Sequence, residues 1–221
     1  MGTLMRIDRR VWVLLVLGAA LAITTPRVRA QQLLEDFLLA VANNRAADVR
    51  AMLARGVDPN VVDRDGNPAL VIAAREGNTA TVEVLLAGRA SVNARNRYGD
   101  TALMLAALSG RIDIVRKLRA GGATVDQPGW TALIYAAAGG HDEIVRYLLA
   151  EGANIDAASP NGTSALMMAV RENRDSTAEF LVARGANVNH RNENGASALQ
   201  WAKRNENKAL AERLRRAGAR E

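Results

Sequence analysis

Short apolar tracts return along the chain at nearly constant intervals. Aligned on a central leucine they read "GNPALVIAA" (66–74), "GDTALMLAA" (99–107), "GWTALIYAA" (129–137), "GTSALMMAV" (162–170) and "GASALQWAK" (195–203). The anchors Leu70, Leu103, Leu133, Leu166 and Leu199 are separated by 33, 30, 33 and 33 residues. A second apolar pattern follows each tract. In "HDEIVRYLLAEGANID" (141–156), Ile144, Val145, Leu148 and Leu149 have helical spacing. Each unit is therefore predicted to be a turn, a short helix, a tight turn and a second helix. An upstream copy, "DFLLAVANNRAADVRAMLARGVDPN" (36–60), lacks the turn and begins directly with a helix. A period of this length predicts units that bury their apolar faces only by stacking on one another.

Individual residues supply a physical reason for each part of the unit. In "GDTALMLAA", Thr101 can cap the first helix by accepting from free backbone NH groups. Ala106 and Ala107 are small enough to let neighbouring first helices approach closely. Most second helices end at a glycine, namely Gly56, Gly122, Gly152, Gly185 and Gly218, which accepts the left-handed conformation without steric cost. In the second unit Arg89 takes that register, an exception expected to cost about 1 kcal/mol if the conformation is kept.

These residues resemble the ankyrin repeat, whose pattern runs Gly-x-Thr-Pro-Leu-His-x-Ala-Ala, then Gly-His, a second helix and Gly-Ala-x-x-Asn. The fourth unit, "GWTALIYAAAGGHDEIVRYLLAEGANID", follows it closely, and the resemblance covers about residues 34 to 221. The fold it implies is an all-α repeat solenoid of stacked helix-turn-helix units with β-turn or hairpin fingers. Two departures recur. The family's Pro is Ala69, Ala102, Ala132, Ala165 and Ala198, and its His is Val71, Met104, Ile134, Met167 and Gln200. Losing that His removes a hydrogen bond between turns, so these units are expected to lean more on apolar contacts.

The N-terminus departs from the repeat. "MGTLMRIDRRVWVLLVLGAALAITTPRVRA" opens with Arg6, Arg9 and Arg10, continues with thirteen apolar-rich residues from Val11 to Ile23, and ends at Val28-Arg29-Ala30. Spanning a bilayer takes about 20 residues, so a cleaved export signal is the better reading, with an uncleaved anchor as the alternative. Cleavage is expected between Ala30 and Gln31, by the general secretory route or, given Arg9-Arg10, by a twin-arginine route. The expected organisation is a signal over 1–30, an N-terminal capping repeat over 31–62, four central repeats over 63–190 and a C-terminal capping repeat over 191–221.

That segment changes what the charge means. The 221 residues carry a formal charge of +6, with 29 Lys and Arg against 23 Asp and Glu. Five of the basic residues and one acidic residue fall in the signal, which leaves 24 against 22, a net of +2. The case for nucleic acid largely disappears with the signal. With no cysteine, neither a disulfide framework nor a lipidated N-terminal cysteine is available. The C-terminal "KRNENKALAERLRRAGARE" is interrupted by Glu206, Glu212 and Glu221 and reads as a polar cap on the last unit.

Candidate chemistry is sparse. The two histidines, His141 and His190, cannot form a helical His-Glu-x-x-His zinc site, and no phosphate-binding Gly-rich loop or Gly-x-Ser-x-Gly elbow occurs. His141 stands at the Gly-His turn, where the imidazole is expected to cap backbone groups, and His190 is expected to be solvated. "VVDRDGNP" lacks the first ligand and the closing Glu of a calcium loop, so turn chemistry explains it. Asn161-Gly162-Thr163 matches a glycosylation acceptor but also fits the turn of its finger. The scattered carboxylates Asp100, Glu143 and Glu172 form no recognisable acid/base pair. No enzyme activity, cofactor or metal is expected.

One finger breaks the spacing. "VDQPGWTAL" (125–133) is three residues shorter than "VNARNRYGDTAL" (92–103), and the deletion lies between Val125 and Leu133. The resemblance implies protein binding through variable finger and first-helix positions. The candidates are Arg97, Tyr98, Asp100, Leu108, Trp130 and Arg171, among which Tyr98, Leu108 and Trp130 are large residues the stack does not need. The bland alternative has Trp130 folding over the gap to pack on Tyr98. The expected function is a monomeric, non-enzymatic adaptor that binds another protein, and neither nucleic acid nor, after cleavage, a membrane. It would act in the periplasm or outside the cell. The alternatives are a secreted effector acting on a host protein, an anchored form, or an enzyme or metal-dependent factor using the scattered carboxylates.

Overall fold

The computed structural model describes residues 26–221. Twelve helices occur among the described residues: α1 (Pro26–Ala42), α2 (Ala46–Ala54), α3 (Ala69–Glu76), α4 (Thr79–Ala87), α5 (Ala102–Leu108), α6 (Ile112–Ala120), α7 (Ala132–Gly139), α8 (Asp142–Ala150), α9 (Ala165–Arg171), α10 (Asp175–Ala183), α11 (Ala198–Arg204) and α12 (Lys208–Arg216). The chain divides into two compact units at Asp36, and the repeats occupy the second, Phe37–Glu221. In the first, the start of α1 carries side-chain bonds from Gln31 to Glu35 (3.5 Å) and from Gln32 to Asp36 (3.0 Å). Residues 1–25 of the expected signal lie outside the described residues, while Ala30 and Gln31 are exposed positions on α1.

From α2 onward the helices run seven to nine residues, too short to hold their shape in water without tertiary packing. They gain it in two layers. First helices α3, α5, α7, α9 and α11 pack side by side, and second helices α2, α4, α6, α8, α10 and α12 form the layer behind them. Alanine sets the distance within the first layer. Ala73, Ala74, Ala106, Ala107, Ala136, Ala137, Ala169 and Ala202 are wholly buried, and larger side chains there would push the helices apart. The leucine anchors and the residues in the family's His register, Val71, Met104, Ile134 and Met167, are also buried. The expected reliance on apolar contacts is met, and all of these tracts face a single continuous core.

Capping follows the sequence in four units of five. Thr101, Thr131, Ser164 and Ser197 accept from the backbone NH three residues on, at 3.3 to 3.4 Å. Gln200 Oε1 returns the favour by accepting from Ser197 N at 3.0 Å. The second unit has Pro68 there and no side-chain cap. At the second-helix ends, Gly122 has φ +90° and Arg89 holds the same left-handed turn at φ +63°. The arginine has kept the conformation that suits a glycine.

The fingers are joined by a repeating backbone clasp. Asn60 Oδ1 accepts from Ser91 N, Asn93 Oδ1 from Thr124 N, Asp126 Oδ2 from Asn154 N, Asp156 Oδ1 from Asn187 N and Asn189 Oδ1 from Arg220 N, all at 2.7 to 2.8 Å. Each finger thus fixes the start of the next. Four fingers close on an antiparallel bridge, at Val62–Pro68, Arg95–Thr101, Ala158–Ser164 and Arg191–Ser197. The finger between α6 and α7 has none.

Candidate functional site

The clasp locates the deletion more closely than alignment can. Asp126 stands where Asn93 and Asp156 stand, and Thr131 where Thr101 and Ser164 stand, so the loss falls between Asp126 and Thr131. Missing are the bridge residue, represented by Arg95 or Ala158, and the turn-holding acceptor, represented by Asn96 or Ser159. Asn96 Oδ1 accepts from Tyr98 N and Asp100 N, each at 2.9 Å, and Asp63 and Asn192 hold their fingers similarly. The short finger is steadied from its neighbour instead: Arg95 Nη2 donates to Gln127 Oε1 at 2.6 Å. Asp126 Oδ1 is left buried without a hydrogen-bond partner.

Shortening draws Trp130 inward. It is half-buried and meets the Tyr135 ring edge-to-face, with centroids 5.8 Å apart and planes at 69°. Trp130 therefore covers Tyr135 rather than Tyr98, because the shorter loop lands on its own first helix. Tyr98 stays 73% exposed, with the Arg97 guanidinium 5.5 Å from its ring centre. Arg97 also pairs with Asp65 of the preceding finger at 2.5 Å. Tyr135 Oη donates to Asp100 Oδ1 at 2.5 Å. Burial first, and then the hydrogen bond and charge of Asp100, raise the Tyr135 pKa far above the ordinary tyrosine value of 10.0. The phenol is held protonated, as a donor, and it fixes the ring on which Trp130 rests.

A second change opens space beside this pair. At the end of the first helices the second and fifth units carry Arg75–Glu76 and Arg171–Glu172, paired at 3.0 and 2.9 Å. The fourth unit has Ala138–Gly139 at that register, and an open cleft of about 620 Å³ lies there. Ile134 and Met168 form its most buried apolar lining, with Leu108, Ala138, Trp130 and Tyr135 more open. Its polar border is His141, Arg171, Glu172 and Arg174. A cleft of this size, mostly apolar with a few convergent polar groups, is what a ligand or partner side chain requires.

The border is rigid. His141 Nε2 donates to Leu108 O at 2.9 Å, reaching back to the end of α5. A Cβ on Gly139 would collide with that imidazole, so the small residue is demanded by the histidine and the cleft comes with it. Arg174 makes the equivalent bond one unit on, from Nε to Ala138 O at 3.0 Å. Arg171 lies 5.8 Å from the Trp201 ring centre besides pairing with Glu172.

Of the six sequence candidates, Leu108, Trp130 and Arg171 come together in the cleft, Asp100 stands one hydrogen bond behind it, and Arg97 and Tyr98 do not line it. Ala138 and Gly139 stand at variable positions of the repeat, whereas Ile134, Met168 and Arg174 were not among the candidates. The signal that could have found them is the contrast of Ala138–Gly139 with Arg75–Glu76 and Arg171–Glu172. His190 differs from expectation: its Nε2 donates to Gly162 O at 2.8 Å, tying two fingers together rather than facing solvent alone. Asn161 Oδ1 accepts from Ser159 Oγ at 2.5 Å and Thr163 N at 3.3 Å, which is turn chemistry. Asp100, Glu143 and Glu172 are engaged separately, by Tyr135, Arg116 and Arg171. Among the described residues no group of three or more His, Asp or Glu could hold a metal ion, and no helix is long and apolar enough to cross a membrane.

The family model described as ankyrin repeats (3 copies) matches residues 37–128 and 120–192. The crystal structure of the human ASB11 ankyrin repeat domain superposes with a TM-score of 0.76 at 28% identity, over 83% of this chain and 84% of that one. None of the curated proteins matches the chain in sequence.

Proposed function

The chain belongs to the ankyrin repeat family, and from that premise we propose that it is a non-enzymatic adaptor that binds another protein in the periplasm or outside the cell. Ankyrin repeats bind other proteins. The observation that carries the reading here is the cleft beside the shortened finger, where Leu108, Trp130 and Arg171 converge on an apolar surface whose shape is set by backbone bonds. Tryptophan and arginine are enriched among residues that dominate binding energy, especially in desolvated pockets. Export is supported by the basic start and thirteen-residue apolar run before Ala30. Once exported, the protein works as a monomer.

Affinity capture from the native envelope fraction tests this. Leu108→Ala combined with Trp130→Ala should lose the captured partner, whereas Tyr98→Ala should retain it. If the double variant captures the same proteins as the native chain, the cleft is not the binding face. The export half is checked separately by sequencing the N-terminus of the periplasmic protein, which should begin at Gln31. Recovery only from washed membranes with residues 1–30 intact would replace the soluble form by an anchored one.

A further inference from the structure

We infer that the cleft takes an extended peptide segment of the partner carrying a large apolar side chain close to a carboxylate. This deepens the adaptor reading and rests on it. The apolar half follows from Ile134, Met168, Ala138 and Leu108, which present a greasy concavity with Trp130 at its edge. The acidic half follows from what remains unmatched once the internal bonds are assigned.

Both helix-end carbonyls in the cleft lining are taken. Leu108 O accepts from His141 and Ala138 O accepts from Arg174. The lining carboxylate, Glu172, is engaged by its neighbour Arg171. The Tyr135 hydroxyl is committed to Asp100. That leaves Arg174, which forms no ion pair with a carboxylate among the described residues. Its Nε is tied to Ala138 O, and its stem lies so close to Gly140 that a Cβ there would come within 2.7 Å of Arg174 Cδ. The guanidinium is thus held in place with both terminal nitrogens left over, a fork whose geometry matches a carboxylate. Apolar surface beside a fixed, unneutralised fork selects a segment with both features, and like charge would be rejected.

The probe is a phage-displayed library of short random peptides panned on the full chain, followed by synthesis of the most enriched sequence and of its amide counterpart (Asp→Asn or Glu→Gln). Enriched peptides should share an aromatic or long aliphatic residue near an acid. The acidic peptide should bind about three- to tenfold more weakly to Arg174→Gln, and the amide peptide should be nearly indifferent to that change. Arg174→Gln suits the test because its amide nitrogen stands one bond beyond Cδ, where Arg174 Nε stands, so the bond to Ala138 O can be kept while the charged fork is lost. Ala138→Leu, which fills the cleft, should abolish binding of both peptides.

Enriched peptides that need an open Ala138 but carry no acid would overturn the acidic assignment and leave the adaptor reading standing. Peptides indifferent to Ala138→Leu, or no enrichment at all, would sink both. Self-association of the chain abolished by Ala138→Leu would assign the cleft to a second copy and overturn the proposal as well.

Discussion

The third and fourth units share a core and differ at the surface. Leu103 and Leu133 are equally buried, Thr101 and Thr131 cap their helices alike, and Asn93 and Asp126 clasp the following finger in the same way. Yet the third finger closes on a bridge and leaves Tyr98 in solvent, while the fourth is too short to bridge and lays Trp130 on Tyr135. A repeat stack can change one finger without disturbing its neighbours, because each unit is held mainly by buried contacts and by the clasp at its root. The room for function lies in what those constraints leave free.

If that separation of core from surface is right, the two units should be equally sensitive in the core. Leu133→Ala and Leu103→Ala, one beside the short finger and one beside a complete one, should each cost about 3 kcal/mol in urea unfolding. A much smaller cost for Leu133→Ala would mean that the shortened finger has loosened the stack beneath it. Caps sharpen the same comparison at a smaller scale. Thr101→Ala and Thr131→Ala should each cost about 1 kcal/mol, and unequal costs would show that the missing bridge weakens the helix entry.

Backbone strain offers a second contrast, between the second and third units. Arg89→Gly should stabilise by about 1 kcal/mol, since φ is +63° there, and Gly122→Ala at φ +90° should destabilise by a similar amount. Thermal unfolding of the two variants reads the opposite signs directly. No change for Arg89→Gly would mean that its side chain returns what the turn costs.

The smallest effect is electrostatic. Tyr135 has its folded pKa raised above the ordinary 10.0, so the stability it contributes is fully present below pH 10 and is lost as pH rises through the folded value. Absorbance titration should show one tyrosine keeping its proton above pH 10 until the chain unfolds, and Asp100→Asn should bring that ionisation down. Burial remains in the variant, so the return to the ordinary value should be incomplete.

Much of this was readable along the chain because its causes are local. The leucine spacing, the Thr101 cap and the left-handed turn at Arg89 depend on residues within one unit, and each appears as expected. The shortened finger was visible as a spacing change, but where its Trp130 would land was not. That depends on the distance from Asp126 to the α7 surface. His190 went astray similarly, since its partner, Gly162 O, lies in another finger. The cleft arises from Ala138–Gly139 standing between Leu108–Ser109 and the longer Arg171–Glu172 pair, and from His141 needing the space over Gly139. Only a comparison across units, joined to their packing, brings those together.

The central claim is that the short finger and Ala138–Gly139 together make the binding face. The most direct measurement is partner capture by Ala138→Leu against the native chain, with thermal unfolding recorded on the same samples. The account predicts that capture is lost while the unfolding temperature stays the same. Undiminished capture by a folded Ala138→Leu chain would contradict it.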